Sequence, residues 1–193
     1  MAFLRQIIIF LLVVSSTACY AQKKRVKPRD KARADIVMLK GGALLVRLKT
    51  SELKINALKS KGMLKEAELI RVGQESTNKQ IVEAFWKEFH FCKVYFFYSN
   101  NSEKIKSGNY NGCLMNVNME IDSSFTGQNY LTGEFDESET AGIDAFVLKD
   151  KNYDQLKSPF PYMIKLNQAL VTTRSPAKAV KALNDKLFDF YAK

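Results

Sequence analysis

The sequence has few of the residues from which catalytic and metal centres are usually built. It contains one histidine, His90, and three cysteines, of which Cys19 lies in the apolar amino-terminal stretch. It contains no Gly-Lys-Ser/Thr phosphate loop, no G-x-G-x-x-G fingerprint, no G-x-S-x-G nucleophile elbow and no C-x-x-C pair. These absences exclude the recognised motifs of nucleotide binding, α/β-hydrolases and thioredoxin-like redox chemistry. We therefore predict no catalytic, cofactor-binding or metal-binding residue.

A short apolar run follows a single positive charge at the amino terminus. Arg5 precedes the run Ile7–Val14, and a region of mostly small residues, Ser15–Ala21, comes next. This order is typical of a secretory signal peptide, which we predict over residues 1–21 with cleavage after Ala21. The run is far shorter than the ~20 residues that cross a bilayer, so we expect no transmembrane span in the mature chain.

Cys19 offers a second way of processing the leader. The residues Ser16-Thr17-Ala18-Cys19 resemble a lipoprotein box, although the leucine usual three positions before the cysteine is absent. An acylated Cys19 would become the new amino terminus. We therefore expect an exported protein, periplasmic or secreted, with a lipid-anchored form through Cys19 as the alternative.

The positive charge of the chain is concentrated just behind the leader. The formal net charge is +10, and Gln22–Ala34 holds seven basic residues and one acid. Asp35–Lys193 carries 22 basic and 19 acidic residues, so nucleic acid is not an expected partner. We predict a basic flexible linker over 22–35. The alternative role of this linker is peripheral contact with an anionic membrane surface, in which each Lys or Arg near the surface contributes ~1 kcal/mol to binding.

Residues 36–193 are predicted to form a single α/β domain with a mixed sheet of about five strands and helices packed on it. Ala43–Lys49 alternates as a strand with one covered face, whereas Phe91–Tyr98 is apolar on both faces and predicts a central strand. Other strand candidates are Cys113–Val117, Tyr130–Phe135, Asp144–Lys149 and Tyr162–Leu166. Helices between the first strands indicate a parallel pair, and closely spaced later strands indicate antiparallel pairing.

The helical segments have recognisable ends. A helix is expected from Thr50-Ser51 to Lys61-Gly62, and Ser175-Pro176 marks the start of a carboxyl-terminal helix. Between them, Met63–Val72 forms one helical pattern, and Thr77-x-x-Gln80 reads as a capping box that opens another. A single long helix over Met63–Phe89, despite Gly73, is the alternative.

The remaining candidates for chemistry have simpler structural interpretations. His90 and Cys92 are too far apart along a strand for an easy nucleophile–base contact, and with Cys113 they lack the fourth ligand of a structural zinc site. An oxidising envelope permits a disulfide between Cys92 and Cys113, but buried free thiols are equally natural. Tyr95–Tyr98 is expected to be buried in the sheet rather than to stack on bases or sugars.

The acidic segments are expected to be turns. We interpret Glu134–Glu139, with Asp144 beyond it, as a solvated connection between strands, and Asp150-x-Asn152-x-Asp154 as a turn and helix cap. The latter lacks the glycine and the final glutamate of a calcium loop. An enzyme would instead build its site from the segments Ser99–Gly112 and Glu134–Asp144, with Asp136, Glu137 and Asp144 converging in a cleft.

Several segments together resemble a group of exported proteins of unassigned function from Gram-negative bacteria. They are a leader ending in Tyr-Ala-Gln, ALLVRLKT, FCKVYFFYS and GIDAFVLKDKNYDQL followed by PFPY. The resemblance implies export and a single domain, and it implies no activity. We expect a non-catalytic binding or interaction module of the cell envelope, whose partner is an unidentified envelope protein or ligand. An unrecognised hydrolase-like enzyme is the alternative.

Overall fold

A computed structural model of the chain describes residues 27–127, 129–139, 141–169 and 172–193. The predicted signal peptide, Cys19 and the first part of the predicted linker lie outside the described residues. The helices are α1 (Pro28–Gly41), α2 (Glu52–Ser60), α3 (Leu64–Glu88), α4 (Ser102–Lys106, preceded by a 3₁₀ turn at Ser99–Asn101) and α5 (Pro176–Tyr191). The strands are β1 (Ala43–Leu48), β2 (Lys93–Tyr98), β3 (Tyr130–Glu137), β4 (Asp144–Lys149), β5 (Met163–Lys165), β6 (Asn167–Ala169) and β7 (Thr172–Thr173).

Five strands form one mixed sheet, as predicted, and their order is β2-β1-β3-β4-β5. β1 pairs in parallel with both β2 and β3, and β4 is antiparallel to β3 and β5. The connection lengths explain this topology. Helices α2 and α3 supply the long crossover that a parallel pair requires, whereas a short connection joins β3 to β4 and permits antiparallel pairing.

The two faces of the sheet are covered differently. Helices α1, α3 and α5 pack on one face, the helical face, whose core includes Ile36, Phe85, Phe96 and Leu183. Residues 99–127 cover the other face, the loop face, where a smaller cluster is buried: Ala43, Leu45, Tyr95, Phe97, Ile105, Cys113, Leu114 and Tyr130. Alternation along β1 and β2 sends neighbouring residues into these two cores.

Residues 64–88 form one continuous helix, so the alternative of a single long helix is confirmed. The predicted capping box at Thr77 is wrong, because Thr77 lies inside α3 and its Oγ1 donates to the carbonyl of Gly73 at 3.0 Å. A glycine inside a helix costs only about 1 kcal/mol relative to alanine, which burial of Ile81 and Phe85 outweighs. At the other end of the chain, Ser175 caps α5 as predicted, its side chain accepting from the N–H of Lys178.

The second half of the predicted flexible linker is helical, which corrects its boundary. Helix α1 begins at Pro28, and Ala32 and Ile36 are buried at helical spacing. Arg33 donates from Nη1 to the carbonyls of Phe190 and Tyr191 at 3.1 and 3.2 Å, where a cation stabilises the carboxyl end of α5. A high local charge therefore does not prevent folding here, because the charged side chains lie on the exposed side of an amphipathic helix.

The prediction that Phe91–Tyr98 forms a central strand is wrong in position. β2 lies at the edge of the sheet, although Tyr95, Phe96 and Phe97 are buried as expected. The edge is partly closed by Met115, which exchanges backbone hydrogen bonds of 2.9 and 2.8 Å with Phe96. The strand predicted near Cys113–Val117 is reduced to bridges at Met115. Among the described residues, no helix has the length and apolar character needed to span a bilayer.

Candidate binding groove at the carboxyl ends of the parallel strands

Cys92 and Cys113 lie on opposite faces of the sheet. Cys92 packs against the core of the helical face, and Cys113 belongs to the cluster on the loop face. Both are free thiols, which decides between the two alternatives left open by the sequence, and the sheet itself separates them. Burial raises the pKa of the Cys92 thiol to about 12, which keeps it in the protonated, weakly nucleophilic form at neutral pH.

His90 lies at the junction between α3 and β2. Its backbone N–H donates to Oδ1 of Asn184 at 2.8 Å, which ties the junction to α5. The structure therefore shows a structural contact at His90. Within the described part of the chain, no three His, Cys, Asp or Glu side chains are grouped so as to hold a metal ion.

The acidic run after Gly133 is part of a strand, which corrects the expectation of a solvated loop. Glu134 is 3% exposed and accepts from Arg47 Nη1 at 2.5 Å and from Lys149 Nζ at 2.9 Å. Asp136, two residues on and on the same face of β3, accepts from Lys49 Nζ at 2.9 Å. The cations of β1 and β4 thus neutralise this part of the run.

The carboxylates proposed for an enzyme site do not converge. Glu137 is the register partner of Asp144, and Asp136 points to the opposite face of β3 from Glu137. Arg47, already paired with the second proposed loop segment, also contacts the first: its Nε donates to Ser102 Oγ at 2.9 Å.

Asp150 organises the predicted turn. Its Oδ1 accepts from the backbone N–H groups of Asn152 and Asp154 at 2.8 and 3.1 Å. Tyr153 between them takes a left-handed conformation with φ of 67°. The turn is therefore as expected, but the predicted helix cap is wrong, because the described chain continues from it without a helix until α5.

A groove of about 530 Å³ opens beside the carboxyl end of β1. The chain leaves β1 through α2 and α3, and the groove lies between the end of β1, these two helices and Phe135 of β3. We name it the cationic groove. Its polar lining includes Arg47, Lys49, Ser51, Lys54, Gln74 and Asn78.

A chain of hydrogen bonds fixes the wall of the cationic groove that α3 provides. Ser51 Oγ donates to Gln74 Oε1 at 2.7 Å, and Gln74 Nε2 donates to Asn78 Oδ1 at 3.1 Å. Asn78, 3% exposed, completes the chain by donating from Nδ2 to the carbonyl of Lys49 at 2.8 Å. Ser51 itself takes the left-handed conformation, with φ of 55°. The end of β1, the start of α2 and the middle of α3 are thereby held together.

The cations of the groove are matched only in part. Lys49 is paired with Asp136. Burial alone would raise the pKa of Asp136, but the hydrogen bond and the charge of Lys49 lower it overall. Arg47 is paired with the buried Glu134. Lys54 is exposed and takes part in none of the ion pairs found among the described residues. The lining therefore carries an unmatched positive charge.

Sequence reasoning missed this groove. The available signal was the pair of cations that alternates along β1, Arg47 and Lys49, followed directly by a helix start at Ser51. Because these residues stand at the carboxyl end of a strand in a parallel pair, they occupy the usual ligand-binding edge of such a sheet. The contribution of Gln74 and Asn78 carries no comparable signal, since polar residues on a long helix are usually solvated.

No family model, curated protein or solved structure matches the chain.

Proposed function

We propose that this protein is exported to the cell envelope and acts there as a non-catalytic binding module whose ligand occupies the cationic groove. The groove is the single observation that carries the binding role. It has the volume of a small-molecule site, a prearranged polar wall and an unmatched cation at the ligand-binding edge of the sheet.

Export is supported by the sequence. A positive residue, a short apolar run and a small-residue region in that order are what the secretory machinery recognises and removes. The basic residues that follow carry the charge that attracts a chain to an anionic envelope surface.

The chemistry of the groove supports binding over catalysis. The amide and hydroxyl groups of Ser51, Gln74 and Asn78 are engaged with one another, and the carboxylates of Glu134 and Asp136 are engaged with cations. Groups committed in this way hold a surface in shape. A general base or nucleophile instead needs its reactive atom directed at a substrate.

Export is tested by fractionating cells and measuring the intact mass of the purified protein. We expect the protein in the periplasmic, secreted or membrane fraction, beginning at Gln22 or at an acylated Cys19. Recovery from the cytosol with Met1 or Ala2 still in place would overturn this part of the proposal.

Binding at the groove is tested by photocrosslinking in intact cells. The photoreactive residue p-benzoylphenylalanine replaces Thr77, an exposed residue of the groove lining on α3, in the full-length chain. It replaces the exposed Lys65 of the same helix as the matched control. We expect a defined mass adduct on the protein labelled at position 77 and none at position 65. Equal labelling at both positions, or no adduct at position 77, would contradict a ligand in the groove.

A blocking variant adds a second measurement. Gly73 lines the groove, and a Cβ added there meets nothing within 4 Å, so a larger side chain can enter open space. Gly73→Leu should reduce the adduct at position 77, whereas Gly73→Ala should retain it. Equal retention by both variants would place the ligand elsewhere.

A further inference from the structure

The cationic groove combines three properties that select one chemical class of ligand. It has unengaged positive charge, an apolar floor and a neutral polar wall that is already hydrogen-bonded. Each property bears on a different part of a bound molecule, and the inference rests on the proposed binding function of the groove.

The positive charge is available to an incoming anion. Lys54 has no ion-pair partner among the described residues, and the Lys49–Asp136 pair is 47% and 38% exposed at its two side chains. An exposed pair of this kind contributes about 0–1 kcal/mol, so Lys49 can turn toward a ligand at little cost. An ammonium carries three N–H donors, and Lys49 uses one of them on Asp136.

The floor of the groove is apolar. Ile70, Ile81 and Phe135 line it, and Leu69 at its rim is 73% exposed. A small, fully hydrated ion would leave this surface in contact with water. A ligand with a hydrocarbon portion removes it from water, at about 25 cal/mol per Å² of apolar surface buried.

The neutral polar groups do not select a polar body. Ser51, Gln74 and Asn78 form a closed chain that ends on the carbonyl of Lys49. One donor of each of these three groups is already taken, so a sugar or other polyhydroxylated ligand would have only their remaining donors and lone pairs as partners.

We propose that the cationic groove binds a small organic anion whose carboxylate or phosphate lies between Lys49 and Lys54 and whose apolar body lies on Ile81 and Phe135. A carboxylate and a phosphate are recognised in the same way, because the oxygens of both accept hydrogen bonds from the lysine ammonium groups at the mouth of the groove. Two probes, a carboxylate and a phosphate ester, distinguish them.

The test is a titration of the full chain, as purified from the envelope, with hexanoate and with hexyl phosphate. Calorimetry measures affinity, and ¹H–¹⁵N spectra report whether the amides of residues 49–54 shift. Hexanol and hexylammonium match the apolar body without the negative charge, and acetate and inorganic phosphate carry the charge without the body. We expect at least one six-carbon anion to bind about tenfold or more tightly than each of these four controls.

Charge variants locate the binding. Lys54→Gln should weaken the six-carbon anion about two- to fivefold, as expected for loss of an exposed ionic contact, and Lys65→Gln should leave it unchanged. Added salt should weaken binding to the unaltered chain more than binding to Lys54→Gln. An equal effect of Lys54→Gln and Lys65→Gln would overturn the proposal.

The probes also separate this inference from the proposed function. If hexanol or hexylammonium binds as tightly as the anions, or if none of the probes binds, the assignment of an organic anion is wrong. A groove adduct at position 77 in intact cells would still stand as evidence for the binding role. Conversely, absence of that adduct would remove the proposed function itself.

Discussion

Arg47 and Glu134 form an ion pair between register partners on the parallel strands β1 and β3, with 2.5 Å between Nη1 and Oε2. The Arg47 side chain is 29% exposed and the Glu134 side chain 4%, so the anion belongs to the more deeply buried partner. Lys149 approaches the other carboxylate oxygen from β4 at 2.9 Å. One acidic side chain thereby joins three strands and holds Arg47, which lines the cationic groove.

Removing the charge of Glu134 should destabilise the fold. Glu134→Gln retains the shape but leaves Arg47 and Lys149 without their shared anion, and we expect a loss of about 1–3 kcal/mol in the free energy of unfolding. Urea denaturation followed by circular dichroism measures it. Glu137→Gln, an exposed change on the same strand, should stay within about 0.5 kcal/mol. Equal urea midpoints for the two variants would contradict the role assigned to Glu134.

Two glycines should respond to alanine in opposite directions. A Cβ on Gly133 would lie 2.5 Å from Cζ of Phe146, so Gly133→Ala should cost about 1–3 kcal/mol through overpacking. At Gly73 of α3, where a Cβ meets nothing within 4 Å, alanine should stabilise by about 0.5–1 kcal/mol. Thermal unfolding of the two variants measures both effects. A stabilised Gly133→Ala variant would show that Phe146 packs differently.

Substitutions in α1 should change the stability of the fold according to which side of the helix they lie on. Ala32 is 3% exposed, whereas Ala34 is exposed. Ala32→Asp should destabilise by about 2–4 kcal/mol because it places a charge in a packed interface, and Ala34→Asp should have an effect below about 0.5 kcal/mol. Chemical denaturation compares them. A flexible linker would tolerate both changes equally.

Asp35 should make the stability depend on pH. Burial raises its pKa above 3.8, the charge of Lys31 opposes the shift and that of Asp150 adds to it. A carboxyl whose pKa is higher in the folded state binds more protons there, so its contribution favours folding at low pH and is lost as pH rises through the raised pKa.

Asp35→Asn removes this pH dependence. The variant should be more stable than the parent chain at pH 7, and its advantage should disappear near the ordinary carboxyl pKa, about 4. Unfolding midpoints over this range measure the difference. Asp30→Asn removes an acid from the first turn of α1 and should instead reduce stability, by about 0.3–1 kcal/mol at low salt. A parent chain as stable as Asp35→Asn at pH 7 would refute the burial argument.

The two cysteines of the folded part should behave as slow, independent thiols. Native protein at pH 8 should react slowly with iodoacetamide at Cys92, because a pKa of about 12 leaves little thiolate. After denaturation, Cys92 and Cys113 should both react rapidly. Intact mass measured before and after reductant should be the same. A gain of two hydrogens on reduction would reveal a disulfide, which the placement of the two thiols on opposite faces of the sheet forbids.

Local patterns predicted most of the elements. Alternation located β1, turn residues located both ends of α2 and the start of α5, and connection length predicted that β1 and β2 pair in parallel. The failures concern position in three dimensions. The apolar run of β2 indicates that both faces of the strand are covered, but it does not indicate whether a strand lies on each side of it. An edge strand whose two faces are both covered therefore has the same pattern as a central strand.

The candidate site was harder to predict because its residues are distant in sequence. Lys49 and Asn78 are separated by a helix and a half, yet their contact shapes the groove. The prediction that Glu134 is solvated was wrong for the same reason. An acidic residue followed by further acids is expected to be exposed unless the cations on neighbouring strands are known.

The sequence by itself determined the periodic features of this protein: the alternation and helical spacing that specify its elements, and the order that makes its sheet mixed. Such features depend on residues a few positions apart, whose side chains meet or diverge by backbone geometry alone. Only the tertiary structure decided which charges are buried together, that the two thiols are kept apart and that a groove opens beside β1. Those outcomes depend on which distant segments pack against one another. A local pattern carries no information about the distant residues that neutralise a charge, cover a side chain or leave it exposed.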